Sequence, residues 1–414
     1  MLGGAIAGVT MLLVVLLGML NGIRATILES ATTLMSGQLN VGGFFKVTAG
    51  QSAPVVTHYK QVLDVIRANV PELDYVTERG RGWAKVVSDT YTSGWVGVSG
   101  IDIRNEPGFR RVVKVQSGSL DALAEPGTIL LFEEQAQRLG VHVGDVVTLS
   151  SFTLRGAVNT VDVRVAVIAR NAGLLSSFNT YVPAATLRGL YAMNSDSTGA
   201  LLLYLKDLRD GPKVEARLRE VLPAAGFQLM DKDPRAFFQK FDVVNREGWT
   251  GQKLDVTTWQ DEVAFVQWTL TAVTWLSYLL IGILLTIIAV GIMNTLWIAI
   301  RERTREVGTL RAIGMQRTRV LAMFLVEAFT LSLGAALFGA LLGLAVCAII
   351  NAAHIHAPIT VQLFLMREEV HLAVRPSALL GSVLLITGCT TAISLIPSFL
   401  AARLQPVTAM HQVG

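Results

Sequence analysis

Four stretches of this chain stay uncharged for longer than a bilayer is thick, and that constrains its fold more than any motif does. Residues 1–23 carry no charged side chain before Arg24. Residues 263–300 form a second stretch closed by Arg301, residues 320–353 a third broken only by Glu327, and residues 377–402 a fourth closed by Arg403. A helix needs about 20 apolar residues to cross about 30 Å of hydrocarbon, so each stretch predicts a membrane span. Composition agrees: 16% of the 414 residues are charged, against about a quarter in a soluble domain.

Basic residues set the orientation. Arg301, Arg303, Arg305, Arg311, Arg317 and Arg319 crowd the segment between spans two and three, against Glu302 and Glu306. In the loop after span three, Arg367 and Arg375 are balanced by Glu368 and Glu369. The positive-inside rule places 301–319 in the cytoplasm. Both termini are then cytoplasmic, and residues 24–262 lie outside. No basic residue precedes the first span, so the N-terminus carries no orientation signal of its own. The first apolar stretch lacks a charged n-region and exceeds a signal-peptide core, so it reads as an uncleaved anchor.

The expected fold is thus a membrane α-helical protein of four transmembrane helices. A large mixed α/β extracytoplasmic domain of two subdomains is inserted between helices 1 and 2. The sequence divides into helix 1 and the start of a stalk (1–35), the inserted domain (36–255), and a stalk with helix 2 (256–300). A cytoplasmic segment (301–319), helix 3 (320–353), an external loop (354–375), helix 4 (376–402) and a cytoplasmic tail (403–414) follow. Within the inserted domain, Tyr59, Val62, Leu63 and Ile66 have helical spacing ended by Pro71. Further helices are expected over 133–139 and 212–222. Strands are expected at 75–76, 84–87, 95–101, 146–149, 161–168 and 227–230, with the span from about 105 to 200 the strand-rich subdomain. Both cysteines, Cys347 and Cys389, fall in spans, so the domain rests on its own core.

The uncharged run 263–300 would be about 57 Å long as continuous helix, nearly twice the hydrocarbon thickness. It must tilt or stand out of the membrane as a stalk, with Trp259 and Trp268 suited to the headgroup layer. A rigid helix of that kind would serve a mechanical coupling device, and it is equally consistent with a long apolar helix partly covered by its neighbours.

Chemistry is sparse. H-E-x-x-H, C-x-x-C and G-x-S-x-G do not occur. Trp83, Trp95 and Trp249 could line an apolar binding surface, but aromatic residues in strands and helix caps are more often core. His354 and His356 form a pair in the external loop, without a third ligand nearby. A net charge of +4 gives no reason to invoke nucleic acid. Catalysis by this chain is not expected. Gly4/Gly8, Gly18/Gly22 and Gly339/Gly343 are small-xxx-small pairs for close helix approach, within the chain or across a dimer.

The densest signal lies in Asn294 to Glu327, NTLWIAIRERTREVGTLRAIGMQRTRVLAMFLVE. Arg301 to Ile313 reads as an amphipathic helix, with Val307, Leu310 and Ile313 on its apolar side. Gly308 and Gly314 mark a turn and a terminus. Such a helix either lies on anionic lipid, which composition alone favours, or docks into a groove on a cytosolic partner.

ERTREVGTLRAIG, followed by a span with an early glutamate, resembles the signature of the FtsX/MacB/LolC-LolE superfamily of ABC transporter permeases. IPSFLAARLQPVTAM resembles that superfamily's closing motif, LFEEQAQRLGVHVGDVVTL one of its domain segments, and SGQLNV its first strand. The resemblance implies a second permease copy or paralogue and two cytosolic ATPase subunits. It also implies a mechanotransmission mechanism that works on cargo at the outer face of the inner membrane. Glu302, Arg303, Arg305, Glu306, Val307, Gly308, Arg311, Ala312 and Gly314 correspond to the ATPase-coupling segment, and Glu327 to the glutamate of span three. No G-x-x-x-x-G-K-[ST] is present, so no cofactor is expected on this chain; ATP and magnesium belong to a separate ATPase. The length and four-span plan favour lipoprotein transport of the LolC/LolE type, with a lipoprotein carrier or periplasmic adaptor as a further partner. A MacB-like drug or peptide exporter, and an FtsX-like mechanotransmitter activating an envelope hydrolase, are the alternatives.

Overall fold

A computed structural model describes residues 2–48, 50–89, 92–171, 173–355 and 371–402. The chain opens with α1 (Leu2–Ala31), which ends in a π-turn, Thr32–Ser36. Then come β1 (Leu39–Thr48), β2 (Gln51–Ala53), β3 (Val56–Thr57), α2 (Tyr59–Asn69), β4 (Leu73–Val87), β5 (Thr92–Ile101) and α3 (Pro107–Val112). Next are β6 (Val115–Gly118), β7 (Thr128–Phe132), α4 (Glu133–Leu139), β8 (Val146–Phe152), β9 (Val158–Ala169), α5 (Leu174–Phe178), β10 (Asn179–Pro183) and α6 (Ala184–Tyr191). The domain closes with β11 (Ser197–Thr198), β12 (Ala200–Leu205), α7 (Gly211–Ala224), α8 (Phe241–Arg246), β13 (Gly251–Thr258) and α9 (Trp259–Glu262). Among the described residues four helices remain: α10 (Ala264–Glu302), α11 (Thr304–Ala312), α12 (Arg317–Ala352) and α13 (Pro376–Ala402). The described residues form two compact units, Thr26–Trp268 and the rest.

In the inserted domain, strands run in the order β13-β1-β12-β4-β5-β10-β7-β9-β6. One half packs α2 and α7 against the sheet: Val62, Ile66, Val214, Leu218 and Leu222 meet Leu39, Val41, Leu201, Leu203 and Val256, all buried. In the other half β8 pairs with both β4 and β9, so the pairings β4-β5-β10-β7-β9-β8 close into a ring. Closure leaves these strands without free edges. Strand alternation sends Ala84, Val86, Val98, Ile129, Leu131, Val147, Leu149, Val163, Val165 and Val182 into one core.

Two expectations are corrected here. The runs at 75–76 and 84–87 belong to one strand, β4, whose first part pairs with β12 and whose later part pairs with β5. The strand-rich ring therefore starts at Gly80 rather than at about 105. Glycine depresses strand propensity, but Gly80 and Gly82 are where α6 comes down on the sheet. A Cβ at Gly82 would overlap the Tyr191 ring, and one at Gly80 would overlap Leu187. Secondly, 227–230 is not a strand: it contributes a single parallel bridge, Leu229 to Leu254.

The end of α1 is held by side chains of this domain. Last-turn carbonyls of a helix have no partner in the helix itself. Arg79 donates to Thr33 O and Leu34 O, Tyr181 Oη donates to Leu34 O at 2.9 Å, and Tyr204 Oη donates to Thr32 O at 3.0 Å. Arg79 also donates to both oxygens of Glu106 at 2.6 and 2.8 Å, with both side chains buried. Burial pushes the Tyr181 phenol up to about 12 and Tyr204 higher still.

Among the described residues the helices long and apolar enough to cross a membrane are 3–36, 274–299, 317–352 and 376–400, and apart from 26–36 they belong to the other unit. Ile6, Leu13, Val14, Ile288, Ile292, Ala336, Ala340, Val383 and Ile386 form their common core. Trp275, Leu279, Ile287, Val290 and Leu341 are exposed, as lipid-facing or partner-facing residues are. The residues after span three are tied back: Asn351 exchanges two hydrogen bonds with the Leu372 backbone, and Ala373 N donates to Gly18 O. His354 sits just past α12 with φ 45°; His356 and the 403–414 tail, with most of the closing motif, lie outside the described residues.

Candidate coupling site between spans two and three

The expected continuous helix from Arg301 to Ile313 is broken. α10 runs through Glu302, Arg303 leaves helical geometry (φ −98°, ψ 9°), and α11 restarts at Thr304. The break turns Val307 inward, where it is 2% exposed in a cluster with Val320, Phe324 and Ala402. Burying that side chain removes a valine from water, worth roughly 1.5–3 kcal/mol, which a straight continuation would not gain. Gly308 lies inside α11 rather than at a turn. Gly314 does make the turn, at φ 101°, before α12 begins at Arg317.

Two polar contacts fasten this segment. Arg303 Nη1 donates to Glu327 Oε1 at 2.9 Å and to Oε2 at 3.0 Å, joining the break to span three. Both side chains are about half exposed, so the pair contributes at most about 1 kcal/mol and mainly sets geometry. Arg311 Nη1 donates to Ala402 O at 2.8 Å, joining α11 to span four. Glu302, Glu306, Ala312 and Gly314 are exposed. The Arg305 side chain and the surroundings of Gly308 lie outside the described residues, as does the Trp268 side chain.

Ile313 departs from expectation most. Helical spacing assigned it to the buried side with Val307, yet it is 85% exposed: its N–H still bonds to Thr309 O in the helical manner, and six residues along a helix turn it about 120° away from Val307. The segment therefore offers an acidic and an apolar side chain outward, on a base pinned to two spans.

In the inserted domain, Trp95 is 55% exposed and Trp83 39%. Trp83 stands at an apolar cleft formed with Leu34, Phe178 and Phe237. Trp249 lies under the Lys46 and Lys253 ammonium groups, at 4.9 and 5.0 Å from its ring centre.

Comparison with known proteins adds to this geometry. Residues 1–221 match the MacB-like periplasmic core domain, and residues 272–406 match the FtsX-like permease C-terminal family. The macrolide export ATP-binding/permease protein MacB of Agrobacterium fabrum is 30% identical over 125 residues, 29% of this chain and 17% of that protein. The pyoverdine export ATP-binding/permease protein PvdT of Pseudomonas fluorescens is 36% identical over 123 residues, 29% of this chain and 16% of that protein. The matches thus take in about a sixth of these relatives' length. The periplasmic region of MacB from Actinobacillus actinomycetemcomitans aligns over 49% of this chain and 88% of its own, at 14% identity and a TM-score of 0.31. With a family match over more than half its length, this chain belongs to the FtsX/MacB/LolC-LolE superfamily of ABC transporter permeases.

Proposed function

We propose that this chain is the permease subunit of an ABC transporter driven by a separate cytosolic ATPase that docks on residues 301–314. The carrying observation is the fastening of that segment: Val307 buried as an anchor, Glu302, Glu306, Ala312 and Ile313 outward, and Arg303 and Arg311 tied to spans three and four. A push on such a segment is passed to the spans rather than absorbed by a loose loop. Val307 on this reading supports the contact from behind. Glu302, Arg303, Arg305, Glu306, Gly308, Arg311, Ala312 and Gly314 form or shape it, and Glu327 positions Arg303. The segment and both termini face the cytoplasm, ATP and magnesium reside on the ATPase, and a second permease copy or paralogue completes the assembly.

The cargo on this reading is hydrophobic and is taken up at the outer face of the inner membrane. Lipoprotein release fits that description. Efflux of a drug or peptide is the second reading, favoured by relatives named for macrolide and pyoverdine export.

The test is nucleotide hydrolysis by the partner ATPase with the full chain in nanodiscs. Glu306→Lys and Ile313→Asp each remove a contact of interface-anchor type, worth about 2 kcal/mol. Each is expected to cut permease-dependent ATPase binding and stimulation while leaving membrane insertion intact. Full stimulation in both variants places the docking site elsewhere.

A further inference from the structure

The cleft beside β4 and β5 has a feature that coupling does not use. Alternation along β4 turns Arg79, Arg81 and Trp83 to the face opposite Gly80, Gly82 and Ala84, and the register sets Ser99 beside Arg81 and Gly97 beside Trp83. Leu34, Phe178 and Phe237 complete a cavity of ≈ 330 Å³, a usual size for a small-molecule site.

Two guanidinium groups reach this cavity, and their surroundings differ. Arg79 is engaged by Glu106 and by the carbonyls of the π-turn. Arg81 has a side chain only 5% exposed, yet it makes no hydrogen bond among the described residues. The nearest carboxylate oxygen, Glu262 Oε2, is 3.7 Å away. The other oxygen of Glu262 accepts from Asn40 Nδ2 at 2.9 Å and from Thr257 Oγ1 at 2.8 Å. The Phe237 ring lies 4.3 Å from Arg81 Cζ and satisfies no N–H. Burial lowers the Arg81 pKa despite Glu262. A guanidinium carries five donors, and those of Arg81 keep accessible surface rather than being sealed off, since none is among the fully buried atoms left without a partner. Here they border an apolar cavity, and a carboxylate or phosphate oxygen pair matches their fork.

We propose that this cleft binds an amphiphile with one anionic head group, the head on Arg81 and the apolar body against Leu34, Phe178 and Phe237. A neutral hydrophobic ligand fills the same cavity but leaves the Arg81 donors empty. The proposal is independent of ATPase docking, and its test contains no nucleotide.

The full chain in phosphatidylcholine nanodiscs is photolabelled with three probes carrying a diazirine in the alkyl chain: palmitate, its methyl ester and hexadecyl phosphate. Adducts are mapped by peptide mass spectrometry. Palmitate or hexadecyl phosphate is expected to label the peptides containing Phe178 and Phe237–Phe238, with saturation and competition by unlabelled probe. Which of the two labels better assigns the head group. The methyl ester is expected to label them about tenfold less, the scale of a lost charged hydrogen bond. Arg81→Gln is expected to bring the acid down to the level of the ester, and Arg81→Lys to retain part of the labelling. Equal labelling by acid and ester in the unaltered chain, a measurement that needs no variant to fold, overturns the proposal, as does labelling confined to the spans.

Discussion

Arg217 grips Glu72 with two hydrogen bonds, Nη1 to Oε2 at 2.6 Å and Nη2 to Oε1 at 3.0 Å, while Lys213 stands 3.4 Å from the same carboxylate. The bond from Arg217 is the main reason its pKa falls from 4.5 to about 2. A carboxylate whose folded pKa is depressed contributes stability above its unfolded value and loses it as pH falls through the folded one. Glu72→Gln is therefore expected to lower the thermal midpoint of the full chain at pH 7. The gap to the unaltered chain should narrow from about pH 4.5 and close near pH 2, followed by near-ultraviolet dichroism at each pH. A gap independent of pH would mean that the pair contributes nothing through ionisation. At this scale the sequence is hard to read. Arg79-Gly80-Arg81-Gly82 looks like an interruption of a strand, because glycine and charge are depleted in strands. Its meaning depends on partners far along the chain: Glu106 and Glu262 for the arginines, Leu187 and Tyr191 for the glycines.

Elements were more legible where composition decides and less so where packing does. A long charge-free run has few options besides a span, and α10 carries its run as one 39-residue helix. The break at Arg303 was not legible, since it comes from the place Val307 finds against Val320 and Phe324. The glycine pairs divide along the same line. Spacing alone left both kinds of contact open, and only the fold distinguishes them. Gly339 and Gly343 of α12 lie on α1: a Cβ at Gly339 would overlap the Ala7 backbone, and one at Gly343 would come to 2.8 Å from Val14 Cβ. Gly4 and Gly8 have open space around them. Gly339→Leu is thus expected to destabilise the helical unit by about 1–3 kcal/mol, as overpacking does. Gly8→Leu should leave the monomer nearly unchanged. Thermal unfolding of the full chain in detergent separates the two, and an unshifted midpoint for Gly339→Leu would break the α1–α12 assignment.

At the scale of the whole molecule, orientation rests on charge asymmetry. The segment 301–319 has six arginines against Glu302 and Glu306, and translocating it would carry that excess across the bilayer, which insertion disfavours. The ATPase reading depends on this, since a docking segment facing outward could meet no cytosolic partner. Two residues report the sides cleanly: Ile313, 85% exposed in the turn after α11, and Val158, 66% exposed at the start of β9. With Cys347 and Cys389 first replaced by serine, Ile313→Cys and Val158→Cys are each treated with a membrane-impermeant maleimide on cells whose outer permeability barrier is opened. Val158→Cys should react while the inner membrane is intact, and Ile313→Cys only after that membrane is permeabilised. Neither introduced cysteine replaces a buried side chain, and the change at the buried Cys347 is common to both proteins, so folding should not confound the comparison. Reaction of Ile313→Cys from the outside would reverse the topology and, with it, the docking of an ATPase on α11.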